Sequence, residues 1–167
     1  QVKGFETIKS SLPPLRSDGY LSECIEHDLI ASLLQLGPWI TEKANGIEFY
    51  SEQELKRVDS LCHPEWIPKD MDRRPDGFTR STVKGKKVVI GLETELSLKR
   101  PKKYEVIGDN YAETKGLDRV LWLARNPSHC KIIHDGLLRG TGRRPFFHNF
   151  VSLGQFMKLN WNALIDL

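Results

Sequence analysis

Two apolar segments joined by a lysine-rich turn carry three acidic residues, and no other part of the chain constrains the fold as strongly. Asp76 precedes the first segment, while Glu93 and Glu95 lie inside the second, residues 88–96. Side chains alternate between the two faces of a strand, so Glu93 and Glu95 project from the same side. Two ionised carboxylates this close repel each other unless a cation, water or partner compensates them. The sequence therefore predicts a β-hairpin with a divalent-cation site, in which Asp76 supplies a third oxygen ligand suited to Mg²⁺.

This arrangement resembles the PD-(D/E)xK nuclease superfamily, whose motif is Pro-Asp at one strand and acid-x-Lys on the next. Pro75 and Asp76 match the first half and Glu93 matches the acid, whereas Glu95 stands at the lysine position, as in a minority of type II restriction enzymes. The likeness covers residues 70–153. It implies a restriction-endonuclease-like fold, which is an α/β three-layer sandwich around a mixed β-sheet.

A second resemblance concerns the nuclease-like domain of plasmid replication-relaxation and mobilisation proteins. The similar residues are 91–97, Tyr104, Tyr111 and 118–123. This likeness places the chain among proteins of mobile elements. We expect both tyrosines to pack in the core, with contacts to phosphate as the alternative.

The first resemblance also implies roles for individual residues. Asp76 and Glu93 would bind Mg²⁺, for which Mn²⁺ may substitute, and Glu95 would act as a general base or bind a second ion. Lys99 has the strand parity of the two glutamates and would supply the missing cation; its alternative role is a solvent-facing charge at a strand end. Glu26, on the predicted first helix, would complete the metal site, and a plain surface charge is equally compatible with its position.

Basic residues cluster around the predicted hairpin, although the formal net charge of the chain is only +3. Such clusters beside a carboxylate site suit a phosphate polyanion, and a solvated protein face is the alternative. The candidate nucleic-acid-binding residues are Arg73, Arg74, Lys86, Lys87, Arg100, Lys102 and Lys103.

Length and composition indicate one globular domain of 167 residues, 39% hydrophobic and 28% charged. Cys24, Cys62 and Cys130 are widely spaced without a C-x-x-C pair, so we expect reduced thiols. Neither a secretory signal nor a membrane-spanning run is present in the sequence, which predicts a cytoplasmic location.

The predicted organisation is an extended lead-in over residues 1–20 and a restriction-endonuclease-like domain over 21–167, with a small helix and hairpin insertion around 39–62. Helical spacing predicts a helix over 21–36, and a capping box at 51–54 predicts a second one to about residue 61. Further helices are predicted over 101–115, 126–138 and 152–159, and further strands over 119–124 and 146–153.

The resulting functional hypothesis is a Mg²⁺-dependent DNA endonuclease. Two alternatives remain open: a catalytically inactive DNA-binding factor in replication, mobilisation or transposition, and a protein-interaction module whose acids pair with Arg73, Arg74 or Lys87. The expected partner is DNA, with a homodimer or an upstream DNA-binding module as further options and no membrane.

Overall fold

The part of the chain that the structure describes contains a five-stranded mixed β-sheet with helices on both faces. The computed structural model describes residues 26–33, 48–83, 85–140 and 147–159. The strands are β1 (Glu48–Ser51), β2 (Gly77–Val83), β3 (Lys86–Glu95), β4 (Arg119–Ala124) and β5 (His148–Ser152). The helices are α1 (26–33), α2 (Glu52–Arg57), α3 (Pro101–Glu113), α4 (Pro127–Leu137) and α5 (Leu153–Leu159), with a 3₁₀ turn at Ser60–Cys62.

The strands lie in the sheet in chain order, β1-β2-β3-β4-β5. The pairs β1–β2 and β2–β3 are antiparallel, and β3–β4 and β4–β5 are parallel. Parallel neighbours need a crossover, which α3 and α4 provide. The predicted α/β fold is confirmed. Residues 48–51, predicted as part of an insertion, form the edge strand of the sheet, while residues 39–47 lie outside the described residues.

Both faces of the sheet are covered, as the apolar run at 119–124 predicts. Val120 and Trp122 of β4 pack in one cluster, together with Ile107 of α3 and Ile133 of α4. On the opposite face a second cluster contains residues from β3, β4, β5 and two helices: Ile30, Leu92, Leu96, Leu121, Leu123, Val151 and Phe156. The sheet is therefore the middle layer of three.

Local signals in the sequence set several helix ends correctly. Ser51 Oγ accepts from the backbone N–H of Glu54 at 3.0 Å, and Glu54 Oε2 accepts from the backbone N–H of Ser51 at 2.8 Å, which confirms the capping box. That helix ends at Arg57, earlier than predicted, because Val58 takes an extended conformation. Asn126 caps α4 by accepting from the backbone N–H of His129 at 2.9 Å.

Two further sequence expectations concern cysteines and membranes. Cys62 and Cys130 are free thiols, as predicted, and Cys24 lies outside the described residues. Within the described ranges, the search for a helix of sufficient length and hydropathy to cross a bilayer finds none.

Helices α3 and α4 approach each other closely because glycines stand where they meet. A Cβ added at Gly108 would lie 2.5 Å from the carbonyl oxygen of Leu137, and one added at Gly136 would lie 2.7 Å from the Tyr104 Cβ. Both distances are shorter than real contacts allow. The position of α3, which carries Tyr104 and Tyr111 toward the sheet, therefore depends on these glycines.

We expect Gly108→Ala to lower the free energy of unfolding by ~2 kcal/mol, because overpacking against backbone outweighs the gain in helix propensity. Urea unfolding measures the change. Gly154→Ala in α5 is the matched control: no atom lies within 4 Å of the added Cβ, so stability should stay the same or rise by up to about 1 kcal/mol. Equal losses in the two variants would contradict the close helix contact.

Candidate functional site

The three acids predicted from the hairpin lie at one end of the two central strands. Glu93 and Glu95 are near the end of β3 and are each only 3% exposed. Asp76 directly precedes β2, whose Gly77 pairs with Leu92, so Asp76 lies beside Glu93. Its Oδ2 accepts from the backbone N–H of Thr94 at 2.6 Å. The structure thus brings together the three residues that the motif singled out.

Pro75 and Gly91 explain why Asp76 is held in this place. Pro75 is fully buried, and a Cβ added at Gly91 would lie 3.2 Å from the Pro75 ring. The missing side chain at Gly91 leaves room for the proline against β3. Asp76 is also anchored through its backbone, because its carbonyl accepts from the Glu52 N–H at 2.9 Å.

Each of the three carboxylates has a cationic neighbour of its own. Arg73 donates from Nε to Glu93 Oε1 at 3.1 Å and from Nη2 to Glu93 Oε2 at 3.3 Å. Lys99 Nζ pairs with Glu95 Oε2. His27 Nε2 lies 3.5 Å from Asp76 Oδ2. The cations come from separate parts of the chain, and together they balance the charge of the acids when His27 is protonated.

The pKa of Glu93 is raised to about 7. Burial is the largest cause and the charge of Asp76 the second, while the charge of Arg73, the hydrogen bond from Tyr111 and the charge of Lys99 lower it. Tyr111 on α3 donates its hydroxyl to Glu93 Oε1. Burial, followed by the charge of Glu93, raises the pKa of Tyr111 well above its usual range, so the phenol stays a donor. A buried carboxyl poised near neutral pH is typical of functional sites.

Lys99 reaches the acids from a loop, because β3 ends at Glu95. The backbone N–H of Lys99 donates to the buried hydroxyl of Tyr104 at 2.9 Å, which fixes this turn over the sheet. Its side chain pairs with Glu95, and its charge lowers the pKa of Glu93. The structure therefore places a lysine among the acids, although the strand does not extend to it.

On the first helix, His27 lies at the acids and Glu26 does not. Glu26 Oε2 accepts from Arg125 Nη2 at 2.8 Å, and its side chain is 53% exposed. His27 Nε2 lies 3.0 Å from the carbonyl oxygen of Thr94, besides its contact with Asp76. One residue turns a helix by about 100°, so adjacent positions point to different surroundings. The structure does not bring Glu26 to Asp76 and Glu93 as a third ligand.

The candidate nucleic-acid-binding residues divide into three groups. Arg73 turns inward to Glu93, and Arg74 is half-buried. Arg100, Lys102 and Lys103 are exposed where α3 begins, just after the acidic end of β3. Lys86 and Lys87 are exposed at the other end of β3, about 20 Å from Glu93 at the usual rise per residue. Only the second group lies near the acids and is free to face a polyanion.

The acids suit Mg²⁺ by donor type, and two of them are enough. Mg²⁺ prefers hard oxygen ligands and usually binds through one or two carboxylates while keeping several waters. Asp76 and Glu93 lie close enough for the charge of Asp76 to raise the pKa of Glu93. Across the ranges that the structure describes, no group of three or more Asp, Glu, His or Cys side chains is placed to hold a metal ion, so the prediction that Asp76 adds a third carboxylate ligand to Glu93 and Glu95 is wrong.

Two residues that contact the acids, His27 and Tyr111, are not part of the sequence motif. His27 is adjacent to Glu26, which was expected at the metal site, and Tyr111 was expected in the core, with a contact to phosphate as the alternative. Tyr104 and Tyr111 are both fully buried, so the packing prediction is confirmed, while the hydroxyl of Tyr111 has the additional polar contact. His63 is structural, as expected of an isolated histidine, because its Nε2 lies 2.8 Å from the Leu55 carbonyl.

Comparisons with family models, curated proteins and solved structures found no match to the chain.

We expect protein stability to fall between pH 6.5 and 9 because of His27. Hydrogen bonding to Asp76 raises the pKa of His27 to about 9, against the opposing effect of burial, so the folded protein holds this proton more tightly than the unfolded chain. The stabilisation is complete below pH 6.5 and disappears as the pH rises through 9. Its size should be about 1–2 kcal/mol, because the imidazole is partly exposed to solvent.

Urea unfolding across this pH range tests the expectation. His27→Gln should flatten the profile, whereas His134→Gln, which alters an exposed histidine beside Asp135, should leave it intact. Identical profiles for wild type and His27→Gln would mean that His27 does not hold its proton through Asp76.

Proposed function

We propose that the chain is a metal-dependent nuclease that hydrolyses phosphodiester bonds in DNA. One observation carries the proposal: Asp76, Glu93 and the Glu95–Lys99 pair converge at one end of the central strands. Burial of acidic side chains costs stability. A site that binds a cation and a phosphate would explain why the chain has these acids at one place.

Asp76 and Glu93 are the residues that would hold Mg²⁺, with Mn²⁺ as a substitute. When bound, the ion polarises the scissile phosphate and lowers the pKa of a water. Glu93 and Asp76 contribute anchored oxygens, since Tyr111 fixes one and the backbone N–H of Thr94 fixes the other. Such anchoring keeps the geometry of the site before the substrate arrives.

Glu95 would accept a proton during the reaction, and Lys99 would stabilise negative charge. A Glu95 oxygen would accept the proton of the attacking water, and the in-line attack would form one P–O bond as the bond to the leaving oxygen breaks. Lys99 Nζ would remain charged and stabilise the negative charge that develops on the phosphate. The contact between Lys99 and Glu95 holds both groups at the same place. Lys99, six positions after Glu93, would thereby take the role of the motif lysine, whose position Glu95 occupies in this chain.

Plasmid nicking with Mg²⁺ or Mn²⁺ tests turnover directly. Glu93→Gln keeps the shape of the side chain and removes its charge, so nicking should fall by at least about 10²-fold. The nicking rate of Lys99→Met should fall by a similar factor. Glu48→Gln, which alters an exposed acid paired with Arg80 on the edge strand, is the control and should nick at the wild-type rate. Equal nicking by wild type and Glu93→Gln would mean that a contaminant is responsible.

DNA should lie across the exposed lysines near the acids. Lys102→Ala/Lys103→Ala should weaken DNA binding and reduce the slope of log K against log salt by up to about 2, because phosphate contacts release counterions. Lys86→Ala/Lys87→Ala removes the same charge at the far end of β3 and is the matched control, with a smaller effect expected. Fluorescence anisotropy at several salt concentrations measures both. A larger loss of DNA affinity in the Lys86/Lys87 variant would mean that the DNA does not bind across the lysines near the acids.

A DNA-binding factor without turnover is the second candidate function. The observation that favours it is the pairing of every acid with its own cation. Such pairs can be retained for structural specificity alone. Salt-dependent DNA binding without any metal-binding heat or nicking would support this candidate over the first.

A further inference from the structure

Arg73 is hydrogen-bonded to Glu93, the carboxylate on which the proposed metal site depends most. Its guanidinium bonds both oxygens of Glu93, while Tyr111 donates to Oε1 as well. A carboxylate offers roughly four lone-pair positions, and three of them are already engaged here. A divalent cation at Glu93 would also be repelled by the adjacent guanidinium. Arg73 and a metal ion therefore compete for the same group.

The surroundings of Arg73 allow it to leave. Residues 72–74 form bends and irregular chain ahead of the anchored Pro75 and Asp76, so movement of Arg73 there breaks no strand pairing. The Arg73 side chain is 32% exposed, whereas Glu93 is 3% exposed, which places the arginine on the solvent side of the acid. Tyr111, fully buried in α3, would keep hold of Glu93 after the arginine departs.

We propose that Arg73 is an exchangeable counter-ion: a divalent cation that binds Asp76 and Glu93 displaces its guanidinium, which then binds a phosphate of the substrate. This rests on the proposed function, because it supplies that site with a phosphate-binding arm available only after metal binding. A guanidinium is well suited to both states, since its planar set of donors matches carboxylate and phosphate alike. In the metal-free protein the same side chain neutralises Glu93.

Calorimetric titration of the full chain with MgCl₂ or MnCl₂, without nucleic acid, tests the exchange. Arg73→Gln removes the competitor, so the ion should bind at least about tenfold more tightly than in wild type, equivalent to about 1.4 kcal/mol. Arg80→Gln also takes an arginine from an ion pair, that with Glu48 on the edge strand, and should stay within about twofold of wild type. Equal or weaker metal binding in Arg73→Gln would overturn the proposal.

Arg73→Lys covers the case in which Arg73→Gln does not fold without metal. Lysine keeps the charge but lacks the two-pronged contact with Glu93, so metal affinity should rise by about threefold over wild type. Circular dichroism establishes that the compared variants are folded. Unchanged affinity in Arg73→Lys would then count against the exchange.

Binding of a phosphorothioate oligonucleotide tests the second half of the proposal. Arg73→Gln should weaken binding by about five- to tenfold with Mg²⁺ present and by less than twofold without it, because only the metal frees the guanidinium. An equal loss under both conditions, or no loss under either, would overturn the role in phosphate binding.

The two proposals fail in different ways. Absence of metal-binding heat in wild type and in every variant would remove both the nuclease and the exchange. Metal binding of equal strength in wild type and Arg73→Gln, with nicking intact, would remove the exchange alone.

Discussion

Burial of Glu93 in the central strand is the constraint on which the rest of the site depends. A carboxylate at 3% exposure cannot stay ionised without compensation, and the chain supplies it from two directions. Arg73 contacts both oxygens from the loop before β2, and Tyr111 donates from α3. Removal of one partner of such a buried pair usually costs about 3–5 kcal/mol. The loop, the strand and the helix are thus held in register by one polar contact as well as by the core.

The sequence predicted the architecture well because its signals are local and mutually consistent. The apolar run at 119–124 became a strand with both faces covered, and Asn126 began α4 as its capping chemistry indicates. Alternation along β3 predicted Glu93 and Glu95 on one side, and the charges of both act on Tyr104 of α3. Each of these inferences needs only neighbouring residues and the period of a strand or helix. The capping box likewise predicted the start of α2. The end of α2 is set by Val58, whose backbone is extended.

The residues that contact the acids could not be predicted from the sequence, because these contacts depend on how helices and strands that are far apart in the chain pack together. His27 lies 67 residues from the Thr94 carbonyl that it contacts, and the rotation of α1 decides whether His27 or Glu26 faces the sheet. In this helix Ile30 is buried, while Leu29 and Leu33 are 61% and 48% exposed, so only part of the apolar pattern faces inward. Lys99 shows the same limit, since strand parity cannot describe a residue that returns from a loop.

The direction of the strands explains why these residues meet at all. Strand β3 runs antiparallel to β2 and parallel to β4, so its carboxyl end adjoins both the start of β2 and the end of β4. Residues just before β2, at the end of β3 and just after β4 must therefore share one edge, and Asp76, Glu93 and Arg125 do so. Ligands of open α/β sheets bind at the carboxyl ends of parallel strands, and here the antiparallel neighbour adds its amino end to that edge. A chain with this strand order can assemble a charged site from short loops, provided that each acid keeps a cation nearby.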